Sequence, residues 1–206
     1  MSRYVVLEGG DGCGKSSQAR ALCDWLGRQG RQVLHVREPG STPTGEALRE
    51  LLLAEETGEL RPITEALLFS AARGELIARV IAPALAAGTV VVAERCYLST
   101  LVYQGHAGDG SLDLAWLRDV TQRVHGEHMP DRIFVLDVPA GVAAQRRTRR
   151  PAADRFEARG EEYLDRVRRG FLRAGEEDRR VRIVDASGSF AAVHESLCRH
   201  TAELLA

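Results

Sequence analysis

Apolar residues recur along this chain in two alternating rhythms. Residues 4–7 form a compact β-prone run that breaks at glycines, and Ala19, Leu22, Cys23 and Leu26 then follow at the i, i+3, i+4, i+7 spacing of an amphipathic helix. The same alternation predicts strands at 32–36, 89–93, 133–136 and 181–184. Helices are expected at 46–53, entered from Thr44 or a neighbour as N-cap, and at 64–85, interrupted at Pro83. Further helices are expected at 112–124, 141–150, 161–174 and from Ala191 onward. Near-continuous apolar strands separated by helices require a parallel sheet covered on both faces, with right-handed crossovers. The expected fold is therefore α/β, a five-stranded parallel sheet flanked by helices on both faces. No linker or shift in composition divides it, so residues 1–206 are expected to form a single domain.

Charge narrows the possible partners. A formal net charge of -1 and a pI of ≈ 6.6 give no global attraction to nucleic acid or a membrane surface, so any phosphate must be held by locally clustered cations. The opening run reaches glycines too soon for a signal peptide, and no later apolar run approaches bilayer length, which implies a cytoplasmic protein. Cys13, Cys23, Cys96 and Cys198 form no CxxC pair, which argues against a structural zinc site or a disulfide scaffold. Among the 28 Lys+Arg residues the one lysine is Lys15. Arginine has displaced lysine everywhere except where a compact ammonium on a thin, flexible stem is needed.

That lysine lies in Gly9-Gly10-Asp11-Gly12-Cys13-Gly14-Lys15-Ser16, followed by Ser17, which fits the GxxxxGK[ST] pattern between a strand and a helix. Glycines let consecutive backbone N–H groups converge on phosphate oxygens, and the following helix directs its positive end at them. The Ser16 hydroxyl can hold Mg²⁺, and Lys15 can reach the β- and γ-phosphates of a nucleoside triphosphate. A GTPase should also show a guanine-reading NKxD-like segment after a late strand, but Asp137 runs instead into Val138, Pro139 and Ala140.

Four further segments extend the reading. Arg37-Glu38-Pro39-Gly40-Ser41-Thr42 is close to REPGGT; residues 67–73 read LLFSAAR; residues 94–105 read ERCYLSTLVYQG; and residues 146–157 carry an arginine run followed by DRFE. Together they resemble the thymidylate kinase family of bacteria over most of the chain. The resemblance implies the nucleoside monophosphate kinase variant of the P-loop NTPase fold, transfer of the γ-phosphoryl of ATP to dTMP with Mg²⁺, and a homodimer. It also implies roles for single residues. Arg37 walls the acceptor site, Phe69 stacks on thymine and Arg73 donates to the base; one helical turn apart, the two share a face. Arg95 grips the acceptor phosphate, a task suited to a planar fork of donors. Thr100 and Gln104 lie beside the pyrimidine edge, Tyr103 under the sugar, and Asp11 accepts from the 3′-hydroxyl. Glu94 stands where the family usually has aspartate, which leaves its contact with the metal open, direct or through water.

The cradle contains no arginine, so the resemblance assigns charge stabilisation of the transferring phosphoryl to a lid at about 146–160, with Arg149 and Arg155 as candidates beside Arg150. The acceptor phosphate is mostly a dianion at neutral pH and needs no general base. In keeping with this, the six histidines form no pattern suggesting one and are read as surface or core residues. The alternatives are a kinase for another nucleoside monophosphate, and a P-loop regulator or nucleic-acid partner. Against nucleic acid stand the lack of interleaved aromatics and of net positive charge.

Overall fold

Strands β1 (Tyr4–Glu8), β2 (Val33–Arg37), β3 (Val90–Glu94), β4 (Arg132–Asp137) and β5 (Val181–Asp185) pair in the order β2-β3-β1-β4-β5, all parallel. The computed structural model describes residues 3–147, 156 and 159–206. The three inner strands are buried along almost their whole length, whereas the edge strands β2 and β5 are only partly buried. This is the pattern expected of a parallel sheet covered on both faces.

Successive side chains point to opposite faces, so each strand feeds two cores. Val5, Leu7, Val92 and Phe134 pack with Leu22 and Leu26 of α1 (Lys15–Arg28) and Leu197 of α9 (Phe190–Leu205). Tyr4, Val6, Val91 and Ile133 pack on the other face with Leu76 of α3 (Pro62–Leu76) and Phe171 of α8 (Glu161–Glu177). The remaining α-helices among the described residues are α2 (Pro43–Leu53), α4 (Ala82–Ala86), α5 (Tyr97–Thr100), α6 (Leu114–His125) and α7 (Ala140–Arg147).

All five expected strands form, each within a residue or two of its expected bounds. Three helical details differ. The N-cap of α2 is Thr42, which accepts from the Gly45 N–H at 2.9 Å with Pro43 in the first turn, because proline lacks an N–H to leave unpaired there. The long helix does not break at Pro83. A wide π turn over Ile77–Ile81 precedes α4 and accommodates the proline ring without a stop. Residues 97–106, which had no expected element, form α5 and a second π turn, Leu101–His106. Glu8, fully buried at the end of β1, accepts there from the backbone N–H groups of Cys96 and Ser99. A carboxylate thus anchors a first turn that no local propensity signals.

His125 closes α6 and is fully buried, with Nδ1 3.1 Å from the His128 carbonyl and the ring edge-on to Tyr97. Burial, reinforced by the charge of Arg73, pushes its imidazole down from 6.5 to about 3. Between those values the unfolded chain takes up a proton that the folded chain refuses. Stability should therefore be intact above 6.5 and fall as the pH drops towards 3, at up to about 1.4 kcal/mol per pH unit. Urea titrations across that range should show this slope, and His125→Leu should remove its share of it.

Candidate active site

Parallel pairing brings the C-terminal ends of β2, β3 and β1 to one edge, where Arg37 is level with Glu94 and Glu94 with Leu7. The loops that follow these strands carry three of the sequence motifs and therefore meet, although up to 86 residues separate them. Between them lies a cleft of about 470 Å³. Clefts at this edge of an open α/β sheet are the usual ligand sites of such folds.

The loop after β1 is a backbone cradle. Gly9 adopts φ 130 and passes so close to β4 that a Cβ would lie 2.6 Å from the Leu136 carbonyl, and Gly14 enters α1 at φ 98. A side chain is excluded at Gly9 by that contact and disfavoured at Gly14 by its positive φ. Lys15 is folded back, donating to the Gly9 and Gly10 carbonyls at 2.9 Å each, with Asp11 Oδ1 at 3.7 Å. Asp11, Gly12, Gly14, Lys15 and Ser16 line the cleft. Gly9 and Gly10 instead border a second cavity, of about 260 Å³; Cys13 is buried, and Ser17 is exposed on α1.

Ser16 and Glu94 meet at the mouth of the cradle, where the serine hydroxyl donates to Glu94 Oε2 and His35 Nε2 lies 3.1 Å from Oε1. Burial acts to raise the Glu94 pKa, but the bonds to His35 and Ser16 and the nearby Lys15 charge hold it below the usual carboxylate range. An ionised carboxylate and a hydroxyl beside a phosphate cradle form a hard oxygen set suited to Mg²⁺, which takes few protein ligands and completes its shell with phosphates and water. His35, read from sequence as a surface or core residue, belongs to this cluster and lines the cleft.

Arg95 follows β3 with φ 72, unusual for a residue with a Cβ, and is held there by its N–H to the Leu7 carbonyl at 2.9 Å. Its guanidinium bonds Asp11 at 2.6 Å and Ser99 at 3.0 Å and lies 5.2 Å over the Tyr103 ring. The Tyr103 hydroxyl in turn lies 3.4 Å from Asp11 Oδ2.

The far wall is α3. Phe69 lines the cleft with its ring 6.0 Å from that of Phe156. Arg73, only 2% exposed, donates to Glu38 at 2.7 Å, to the Cys96 carbonyl at 3.0 Å and to Thr100 at 3.2 Å. Its Nη1 is buried without a hydrogen-bond partner among the described residues. Such a donor calls for an acceptor, and a ligand in the cleft can supply it. Burial pushes Glu38 up to about 7 against the pull of Arg73. Gln104 donates to Glu65 at 3.0 Å, and Arg37, half-exposed, pairs with Glu46 at 2.8 Å while lining the cleft.

The Ser41 that replaces a glycine of the REPGGT pattern keeps a left-handed φ of 63. Its hydroxyl accepts from Arg37 N–H at 2.9 Å and its own N–H reaches Glu46 at 2.7 Å, which offsets the backbone cost. Arg149, Arg150 and Arg155 lie outside the described residues. Arg146 turns away from the cleft, to the carbonyls of Ala186 and Gly188. Sequence reading missed Glu8, Glu65 and His35, because a buried carboxylate or an edge-strand histidine carries no local signature. Glu38, Ser99 and Phe156 lie within the motif segments, but nothing in the pattern signals their part in the site.

A glycine cradle opening a helix is built for phosphate, while an aromatic and arginine wall across the same cleft suits a second, flat ligand. The class so defined is a P-loop phosphotransferase acting on small molecules. Comparison with known proteins narrows it. The family model for thymidylate kinase matches residues 7–197, and the chain belongs to that family. It is 43% identical over 206 residues to a thymidylate kinase of Symbiobacterium thermophilum, covering 100% of this chain and 95% of that protein. It is 42% identical to one of Cereibacter sphaeroides (98% and 95% covered) and 40% identical to one of Pseudomonas fluorescens (94% and 92%).

The Arg73–Glu38 pair yields a structural prediction. Arg73→Leu leaves a carboxyl group buried without its cation and should cost about 3–5 kcal/mol in chemical denaturation. Adding Glu38→Leu should recover most of that loss.

Proposed function

We propose that this protein transfers the γ-phosphoryl of ATP to dTMP, giving dTDP and ADP on the route to dTTP, as a cytoplasmic enzyme. Residues 1–206 act as one kinase domain in this reading. Family membership supports it, and the observation that carries it is the unpartnered Arg73 donor beside Phe69, across one cleft from the Lys15 cradle. A pyrimidine stacked on Phe69 offers a carbonyl to such a donor, and Thr100 and Gln104 supply further polar groups at the same end. Tyr103 packs under the sugar, Asp11 accepts from its 3′-hydroxyl, and Arg37 closes the side.

Arg95 holds the acceptor phosphate as a planar fork already aligned by Asp11 and Ser99. Lys15 leaves its loop carbonyls for the donor phosphates, and the N–H groups of residues 9–17 cradle them. Ser16 and Glu94 hold Mg²⁺, which when bound neutralises charge on the phosphate oxygens. The lid arginines Arg149 and Arg155 offset the negative charge of the transferring phosphoryl. Catalysis then consists of aligning two anions in line and screening them, with no general base.

A homodimer is part of the reading. Leu51 on α2, and Ile63 and Leu67 one turn apart on the adjoining α3, are large apolar side chains left exposed, a suitable face for a second copy. No helix among the described residues is long and apolar enough to cross a membrane.

The direct test is ADP release with dTMP, each other nucleoside monophosphate, and none; activity with AMP or CMP above that with dTMP would sink the assignment. Lys15→Ala should lower kcat by at least about 10²–10³-fold in a folded protein. Phe69→Ala should raise the KM for dTMP far more than that for ATP, and equal effects would return Phe69 to a packing role. Leu67→Glu should shift the sedimentation of the protein towards the monomer.

A further inference from the structure

His35 lines the cleft beside Ser16 and Glu94, and the proposed reaction gives it no part. On β2 it pairs in register with Val92, two positions before the level of Glu94, and strand alternation places His35, Val92 and Glu94 on the face covered by α1. Both oxygens of Glu94 are thereby engaged: Oε1 by His35 Nε2 at 3.1 Å from β2, and Oε2 by the Ser16 hydroxyl from α1. A glutamate side chain fixed in this way has lost its rotamer freedom before any ligand arrives, a cost that otherwise falls on binding.

The length of the side chain matters. Aspartate, usual at this place in the sequences that the motif resembles, is one methylene shorter. Its carboxylate would sit about 1.5 Å further back, beyond hydrogen-bond reach of His35 if the contact to Ser16 is kept.

We infer that His35 is a positioning residue matched to Glu94, pinning the longer carboxylate against Ser16 so that the pair presents a fixed oxygen set to a divalent cation beside the cradle. This rests on the reading of Ser16 and Glu94 as the Mg²⁺-holding pair. It also accounts for a glutamate at this position: the extra methylene is used, because β2 carries a partner for it.

The test measures Mn²⁺ binding to the protein–ADP complex by electron paramagnetic resonance, with phosphoryl transfer to dTMP assayed in parallel. His35→Ala should weaken Mn²⁺ binding about tenfold and lower kcat while leaving the KM for dTMP unchanged. His35→Gln, which keeps an N–H donor, should recover most of the loss. In the Glu94→Asp background, His35→Ala should cause no further loss, since the shorter carboxylate does not reach the ring. Unchanged Mn²⁺ affinity in His35→Ala, or equal losses in both backgrounds, would overturn the inference. A wild-type complex that takes up no more Mn²⁺ than free ADP would overturn it together with the metal role of Glu94. Failure of the proposed function appears separately, as absence of transfer to dTMP by a wild-type protein that binds Mn²⁺.

Discussion

The in-register parallel pairing of β1 with β2's neighbour β3 governs everything at the cleft. Because Leu7, Glu94 and Arg37 lie at one level at or next to the ends of their strands, three loops from distant parts of the chain leave the sheet side by side. The Arg95 N–H to the Leu7 carbonyl and the Glu38 N–H to the Glu94 carbonyl extend that pairing one residue past the strands. A slip of one residue would exchange the side chains that feed the two cores and pull the cradle away from Ser99, Arg95 and Arg73. The apolar residues on both faces, rather than the polar residues of the site, exact that register.

Charge compensation is the second constraint. Glu8, Glu38 and Glu65 are each at most 5% exposed, an expensive arrangement unless every carboxylate has donors. Glu8 takes backbone N–H groups, Glu38 takes Arg73, and Glu65 takes Gln104 together with Arg159 at 2.7 Å. These acids hold the cations and amides in chosen orientations. The result is a cleft whose arginines are already aimed, so an incoming anion meets fixed donors and pays little reorganisation.

Two departures from the family pattern are absorbed by neighbours. Ser41 adopts a glycine-like φ with its own hydroxyl as the compensating partner, and Glu94 extends to a histidine on the adjacent strand. In both places the backbone frame is kept and a side chain makes up the difference. This follows from a packed sheet edge that tolerates a change of atoms more readily than a change of path.

The periodicity of apolar residues was enough to determine the five strands, most of the helices and the cradle, because burial on two faces and the conformational demands of glycine are local properties written in spacing. Phe69 and Arg73 were singled out by resemblance to the thymidylate kinase family, and their spacing of one turn adds only that they share a face of one helix. What tertiary structure alone decided was which distant groups meet. That Glu8 caps α5, that Glu38 pairs with Arg73 and that His35 faces Glu94 all depend on contacts between segments far apart in the chain. Such contacts arise from strand order and register, which no window of neighbouring residues encodes.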